Sequence, residues 1–246
     1  MTASASSAQA LQFPHVWRGR ELAQAQEKTL STGHDLLDAQ LPGKGWPVGN
    51  LVEVLQQEAQ HHVWQLVGPG LSSCMAQGAG PAVLVNAPYQ PFGPSLRAQG
   101  IIPEQLLCVQ ADKVSSTLWS AEQALRCADV SAVLAWLPQA RSEDLRRLQL
   151  CAQAGEKLLF VFRPLICREQ STPARLRLQV DGIERMEVQI LKRRGPPLLQ
   201  PLELHARPRR LAALLNARKS HRELPLSIEF PSSESHVLDR TPSFAG

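Results

Sequence analysis

The sequence predicts an α/β fold: a mostly parallel β-sheet flanked by helices, with antiparallel strands along one edge. Three observations carry this. Four short runs are apolar almost throughout, "AVLVNA" (82–87), "QLLCVQA" (105–111), "SAVLAWL" (131–137) and "KLLFVF" (157–162), as strands buried on both faces require. Helical segments separate them, most clearly 114–128 and 142–155, so helix and strand take turns along the chain. The pattern then switches near residue 174. "ARLRLQV" (174–180), "RMEVQIL" (185–191) and "LELHA" (202–206) alternate polar with apolar, the mark of antiparallel edge strands with one wet face.

The elements follow in order. Residues 1–10 are rich in Ala, Ser and Thr and read as disordered. Residues 16–29 predict a short helix with Val16, Trp17 and Leu22 as its apolar contacts. Ser31 or Thr32 is the expected cap of a second short helix, with Asp35 in its first turn, where a carboxylate favours the helix dipole. Pro42, Gly43, Gly45, Pro47 and Gly49 make a stiff, turning lead-in loop to the strand "LVEVL" (51–55). Two helical segments, 58–67 and 69–78, are expected to break at Gly68 and Pro69. A short helix within 91–100 is stopped by Gly100. Helix 114–128 puts Val114, Leu118, Ala121 and Leu125 on one face, with Ser116 as its candidate cap. Helix 142–155 has Ser142 as N-cap, acids in its first turn and Gly155 at its end. "RLAALLNARKS" (210–220) is a basic helix or helical arm, and the Pro and Ser density after His221 predicts a loose tail. The expected organisation is an N-terminal arm with a short helix and the lead-in loop (1–45), a core (46–211), and a basic arm with a disordered tail (212–246).

Composition narrows the function classes. No apolar run approaches the roughly 18 residues needed to span a bilayer, and the N-terminus lacks a basic start followed by an apolar stretch, so the expected compartment is the cytoplasm. The five cysteines, Cys74, Cys108, Cys127, Cys151 and Cys167, contain no C-x-x-C pair and no zinc-ligand spacing. They read as small buried hydrophobes in a reducing compartment. Net charge is +4 and the pI about 9.0. Residues 1–140 carry 7 Lys/Arg, whereas residues 141–225 carry 18 against 9 Asp/Glu. The basic surplus therefore belongs to the C-terminal half and points to an anionic partner, a nucleic acid or an acidic protein surface.

Several strings carry a resemblance. "STGHDLLDAQL" followed by G-x-P-x-G-x-L-V-E-V and then alternating strands and helices is similar to the RecA-type ATPase core. The fuller string "VWRGREL…TGHDLLDAQLPGKGWPVGNLVEVL" resembles the ImuA family more closely. So do "VLVNAPYQPFGPSLRAQGI", "LWSAEQALRCADVSAVLAWLP" and "EVQILKRRGPP". The resemblance runs from about Trp17 to Leu211. It departs at Lys44, where the family's LPGGGWP run has glycine. It implies a RecA-like accessory factor of bacterial damage-induced mutagenesis. Such a factor works with ImuB, a catalytically inactive polymerase relative, and through it with an error-prone C-family polymerase. RecA is a further implied partner, and contact with DNA is indirect. Three alternatives stay open: a division inhibitor like SulA, which is also RecA-like without a phosphate-binding loop, a true ATPase with a divergent site, and a single-strand DNA-binding regulator of RecA filaments.

The site that a RecA-type core uses for nucleotide is degenerate here. A phosphate-binding loop needs glycines that let backbone N–H groups curl around phosphates, a lysine against the β/γ charge and a hydroxyl on Mg²⁺. Laid without gaps on the RecA pattern, those positions fall on Gln56, His61, His62 and Val63. The strand that should end in a metal-holding aspartate offers Ala135 and Trp136, and the expected catalytic glutamate is replaced by Asn86, Tyr89 and Gln90. The expectation is a protein with no catalytic residues, no cofactor and no metal, acting by contact. His61 and His62 are adjacent and point different ways on a helix, a poor metal pair. Glu58 at helical spacing would allow a Glu–His surface contact, and exposed polar residues opening a helix are the plainer reading. Candidate partner-binding residues are Trp17, the Lys192–Arg193–Arg194 run and the arm carrying Arg207, Arg209, Arg210, Arg218 and Lys219 beside Leu211, Leu214 and Leu215. For each, the plainer alternative is a solvated or self-packed surface.

Overall fold

Five apolar or near-apolar runs become neighbouring parallel strands, and the alternating runs extend the sheet on one side. The computed structural model describes residues 28–58, 62–77, 80–182 and 185–204. In chain order the elements are β1 (Thr29–Leu30), α1 (Asp35–Gln40), β2 (Trp46–Pro47), β3 (Leu51–Gln56) and α2 (Val63–Ala76). Next come β4 (Ala82–Val85), α3 (Gly93–Ala98), β5 (Leu106–Val109), α4 (Val114–Arg126) and β6 (Ala132–Trp136). The last are α5 (Ser142–Gly155), β7 (Leu158–Pro164), a 3₁₀ turn (Leu165–Glu169), β8 (Leu176–Asp181), β9 (Met186–Lys192) and β10 (Leu202–Leu204). The large sheet has the order β10-β9-β8-β3-β7-β6-β4-β5. From β8 to β5 every pairing is parallel, and β9 and β10 are antiparallel.

The two faces are covered by different helices. Val63, Leu66, Val67 and Leu71 of α2 share a core with Val54, Leu134 and Phe160 of the sheet. On the opposite face Leu118, Ala121 and Leu125 of α4 and Leu145, Leu148 and Ala152 of α5 meet Leu51, Val133 and Val161. Each such side chain removed from water contributes roughly 1.5–3 kcal/mol before chain entropy is counted. Leu37 of α1 and Trp46 of β2 belong to the first core, and Trp46 meets Phe160 edge-on at 5.1 Å and 89°. The lead-in loop is tight for a physical reason: a Cβ on Gly45 would fall 2.3 Å from the Leu30 carbonyl oxygen.

The expected break at Gly68 and Pro69 is not there. α2 runs from Val63 to Ala76 with Pro69 inside it. Proline removes the amide that would bond the Gln65 carbonyl. His34 Nε2 lies 2.9 Å from that carbonyl and donates to it, so the acceptor freed by the proline is satisfied from 31 residues away. α2 also begins at Val63, not at residue 58, so Glu58 is not at helical spacing to His62.

Other expectations shift by a residue or a role. Thr29, expected at the end of a helix, is in β1. Ser31 and Thr32 do not cap α1, whose N-cap is His34. The Ser31 hydroxyl donates to Asp38 Oδ2 at 2.7 Å and the Thr32 amide to Asp38 Oδ1 at 2.9 Å. Ser116 lies inside α4, whose N-cap is Lys113. Ser142 is the first residue of α5, and Arg141 is the N-cap, its amide bonded to Asp144 Oδ2 at 3.0 Å. Glu156, not Gly155, takes the left-handed conformation that ends α5. The run 174–180 is antiparallel to β9, as expected, but it is not an edge strand with a wet face. As β8 it pairs in parallel with β3, and Arg177 is buried. All five cysteines are free. Cys167 is buried, but Cys127 is exposed, as is Cys108, because β5 is an edge strand on which Leu107 is also 48% exposed. Among the described residues no helix is long and apolar enough to cross a membrane. Trp17, His61, Arg207, Arg209, Arg210, Leu211, Leu214, Leu215, Arg218 and Lys219 lie outside the described residues, as does most of the helix expected over 16–29.

Lys44 explains its own oddity. Its φ is +57°, in the left-handed region that costs an L-residue about 1–2 kcal/mol and glycine nothing. Lys44→Gly is therefore expected to raise stability by about 0.5–1 kcal/mol, net of glycine's larger unfolded-state entropy, read from the urea midpoint. His34→Ala is expected to cost about 1–2 kcal/mol by stranding the Gln65 carbonyl. The same change made on Pro69→Ala, where an amide can take over, should cost clearly less, and a thermodynamic cycle measures the difference.

Candidate functional site

The carboxyl ends of the parallel strands, where open α/β sheets place ligands, form a cleft. It has a volume of about 310 Å³ and is lined by Gln56, Asn86, Trp136, Pro138, Phe162 and Pro164. Its floor follows from strand register. Trp136 of β6 sits directly opposite Phe162 of β7, and their rings stack at 4.6 Å with planes 21° apart. Trp136 also borders an adjoining hollow of about 510 Å³ walled by Val63, Trp64, Tyr89 and Phe92. Tyr89 is 66% and Phe92 71% exposed, so the rim is aromatic and open to water.

The residues expected at the nucleotide position separate into different roles. Gln56 is the last residue of β3, is buried and lines the cleft. His62 directly precedes α2 with φ +54°. Its Nε2 lies 2.8 Å from the Gly182 carbonyl, which can only accept, so Nε2 carries the proton and ties the β3–α2 connection to the β8–β9 turn. Val63 packs in the core at 1% exposure while also edging the outer hollow. Asn86, in the left-handed region, is committed to holding the sheet end together. Its Nδ2 donates to the Ala111 carbonyl at 2.9 Å and Thr117 Oγ1 at 3.0 Å, and its Oδ1 accepts from the Ala111 amide at 2.8 Å.

One cluster was missed in the sequence. Glu53, in the middle of β3, is fully buried. Arg163 Nη1 donates to its Oε1 at 2.9 Å, and Arg177 Nε lies 3.0 Å from its Oε2 as an ion pair. The guanidiniums spend their other donors nearby. Arg163 Nη2 reaches the Ala140 carbonyl at 2.8 Å and Gln170 Oε1 at 2.7 Å. Arg177 reaches the carbonyls of Cys167 at 2.6 Å, Arg168 at 2.7 Å and Gln170 at 3.0 Å. The signal was available: a lone acid in "LVEVL", an arginine closing the apolar run of β7, and one inside "LRLQV". A charge within an apolar strand asks for its partner.

The basic run at 192–194 is not gathered at the cleft. Lys192 Nζ donates to the Thr172 carbonyl at 3.0 Å. Arg193 donates from Nε to the Pro196 carbonyl at 2.9 Å and from Nη1 to Gln40, its carbonyl and its Oε1, the latter at 3.2 Å. Arg193 thus fastens the end of β9 to α1, while Lys192 and Arg194 are exposed. Among the described residues no three His, Cys, Asp or Glu side chains are placed to hold a metal ion.

No protein-family model matches the chain. It is similar to proteins named cell division inhibitor SulA. The Edwardsiella piscicida protein is 26% identical over 118 residues, covering 48% of this chain and 70% of that one. The Yersinia pestis and Yersinia pseudotuberculosis proteins are 32% identical over 118 residues, 48% of this chain and 69% of each.

Removing only the acid from the buried cluster is expected to be severe. Glu53→Leu leaves two guanidiniums out of water without their carboxylate and should cost about 3–5 kcal/mol. The triple change Glu53→Leu, Arg163→Met, Arg177→Leu should recover most of that loss, as urea denaturation of both variants will read.

Proposed function

The chain belongs to the family of the cell division inhibitor SulA, and from that membership and the chemistry of the cleft we propose that it is a non-enzymatic, RecA-like protein of the DNA-damage response that works by binding another protein. The carrying observation is the Trp136–Phe162 stack at the carboxyl ends of β6 and β7. A triphosphate with magnesium needs a mobile cation, a hydroxyl and a carboxylate at that end of the sheet. Here the floor is two aromatic rings, and the arginine at the wall spends its guanidinium on Glu53, Ala140 and Gln170. The strand order, with β7 between β3 and β6, is compatible with a RecA-type core.

The partner reading follows the strings that carry the resemblance to ImuA. "LPGKGWPVG", "LWSAEQALR" and "EVQILKRRGPP" resemble ImuA and favour a translesion-synthesis role. The chain would join ImuB, and through it an error-prone C-family polymerase, with RecA as a further partner. The similarity to named division inhibitors favours a second reading, arrest of septation.

One experiment separates them. Purified chain mixed with ImuB at micromolar concentration is expected to co-elute in size-exclusion chromatography. Overexpression in undamaged cells is expected to leave division normal. Filamentous cells together with no co-elution would replace the first reading with the second. A fluorescent ATP analogue with Mg²⁺ is expected to show no saturable binding up to millimolar concentration. Saturable binding abolished by His62→Ala would sink the non-enzymatic reading.

A further inference from the structure

We propose that the carboxyl-end cleft is the seat for an uncharged apolar side chain, aromatic or leucine-like, presented by the protein partner; this rests on the reading that the chain works by binding another protein. Charge argues first. The arginine that contributes to the wall, Arg163, has its charge paired with Glu53 and both terminal nitrogens bonded to Glu53, Ala140 and Gln170, so only its buried Nε is left and the site offers an anion no unpaired positive charge. Asn86 is likewise engaged with Ala111 and Thr117. What remains facing the space is largely ring and aliphatic surface, which matches a neutral occupant.

Shape argues second. The 310 Å³ cleft and the 510 Å³ hollow both border Trp136, so a deep seat continues into an open vestibule. That is the form in which one anchoring residue enters and its flanking chain lies across the rim. Tyr89 and Phe92 stand on that rim largely exposed, in a protein with one tyrosine and six phenylalanines. Exposed aromatics around a pre-formed pocket are where binding energy concentrates in protein interfaces. Rigidity argues third. Pro88, Pro91, Pro138 and Pro164 fix backbone torsions in the walls, so little order has to be imposed on binding.

The test uses the full chain and two probes. N-acetyl-phenylalaninamide, a neutral side-chain mimic, is titrated while the Trp136 indole N–H resonance is followed, assigned with Trp136→Phe. Saturable shifts with millimolar affinity are expected, and N-acetyl-lysinamide should give none. The rim variant Tyr89→Ala/Phe92→Ala should weaken the probe at least fivefold with an unchanged melting temperature. A control, Ile166→Ala/Leu199→Ala, removes two side chains that are each 85% exposed and absent from the cleft lining, and should change nothing. With ImuB as second probe, the rim variant should lose at least tenfold in affinity and the control none. A probe that never saturates, or binds the rim variant equally, overturns the seat. ImuB binding that survives intact in the rim variant overturns its use by the partner. If the wild-type chain fails to bind ImuB, that partner reading falls, and the mimic titration alone decides the seat.

Discussion

A carboxylate with no access to water sits in the centre of this sheet, and the arrangement around it follows from keeping it charged. Glu53 requires cationic donors on both flanks of β3, which Arg163 of β7 and Arg177 of β8 supply. The 3₁₀ turn after β7 then has to lie over the cluster, because its carbonyls take the remaining donors of Arg177. Strand neighbours, turn position and the covering of that face are thereby linked through one acid. Such a cluster adds less to net stability than an apolar replacement would, since desolvating three charges offsets much of their attraction. Its effect here is geometric. It commits the charge of Arg163, which lines the cleft, to Glu53.

Much of the fold was legible because its central strands are buried on both faces and therefore apolar throughout. "AVLV", "AVLAW" and "LLFVF" needed no further information. What was illegible depended on contacts distant in sequence. Pro69 reads as a breaker unless His34 is known to reach Gln65. β8 reads as a half-wet strand because Arg177 is polar, and only the acid on the adjacent strand makes it an interior residue. Helix caps were misplaced by one to three residues because Ser and Thr hydroxyls were assumed to bond the free amides of a helix's first turn, whereas Ser31 and Thr32 bond the side-chain carboxylate of Asp38.

The candidate site was legible in position and not in character. Counting from the strand "LVEVL" located Gln56, His62 and Val63, and these do surround the β3–α2 connection. Their roles came only from three dimensions. One faces the cleft, one bonds Gly182, and one enters the core. Trp136 had been noted as a missing aspartate. Its stacking on Phe162 depends on the register of β6 against β7, which no local pattern encodes. The similarity to SulA proteins covers 48% of this chain. Partner choice resides in surface side chains, which a shared fold does not fix.

β5 closes the sheet on one side, and among the described residues no strand pairs with its outer edge. It carries Leu107 and the free, exposed thiol of Cys108 at that border. Four residues are a short template, which limits zippering of one molecule onto another. Partial burial pushes the Cys108 thiol up from its ordinary value, so little of it is thiolate and the border is chemically quiet as well as short.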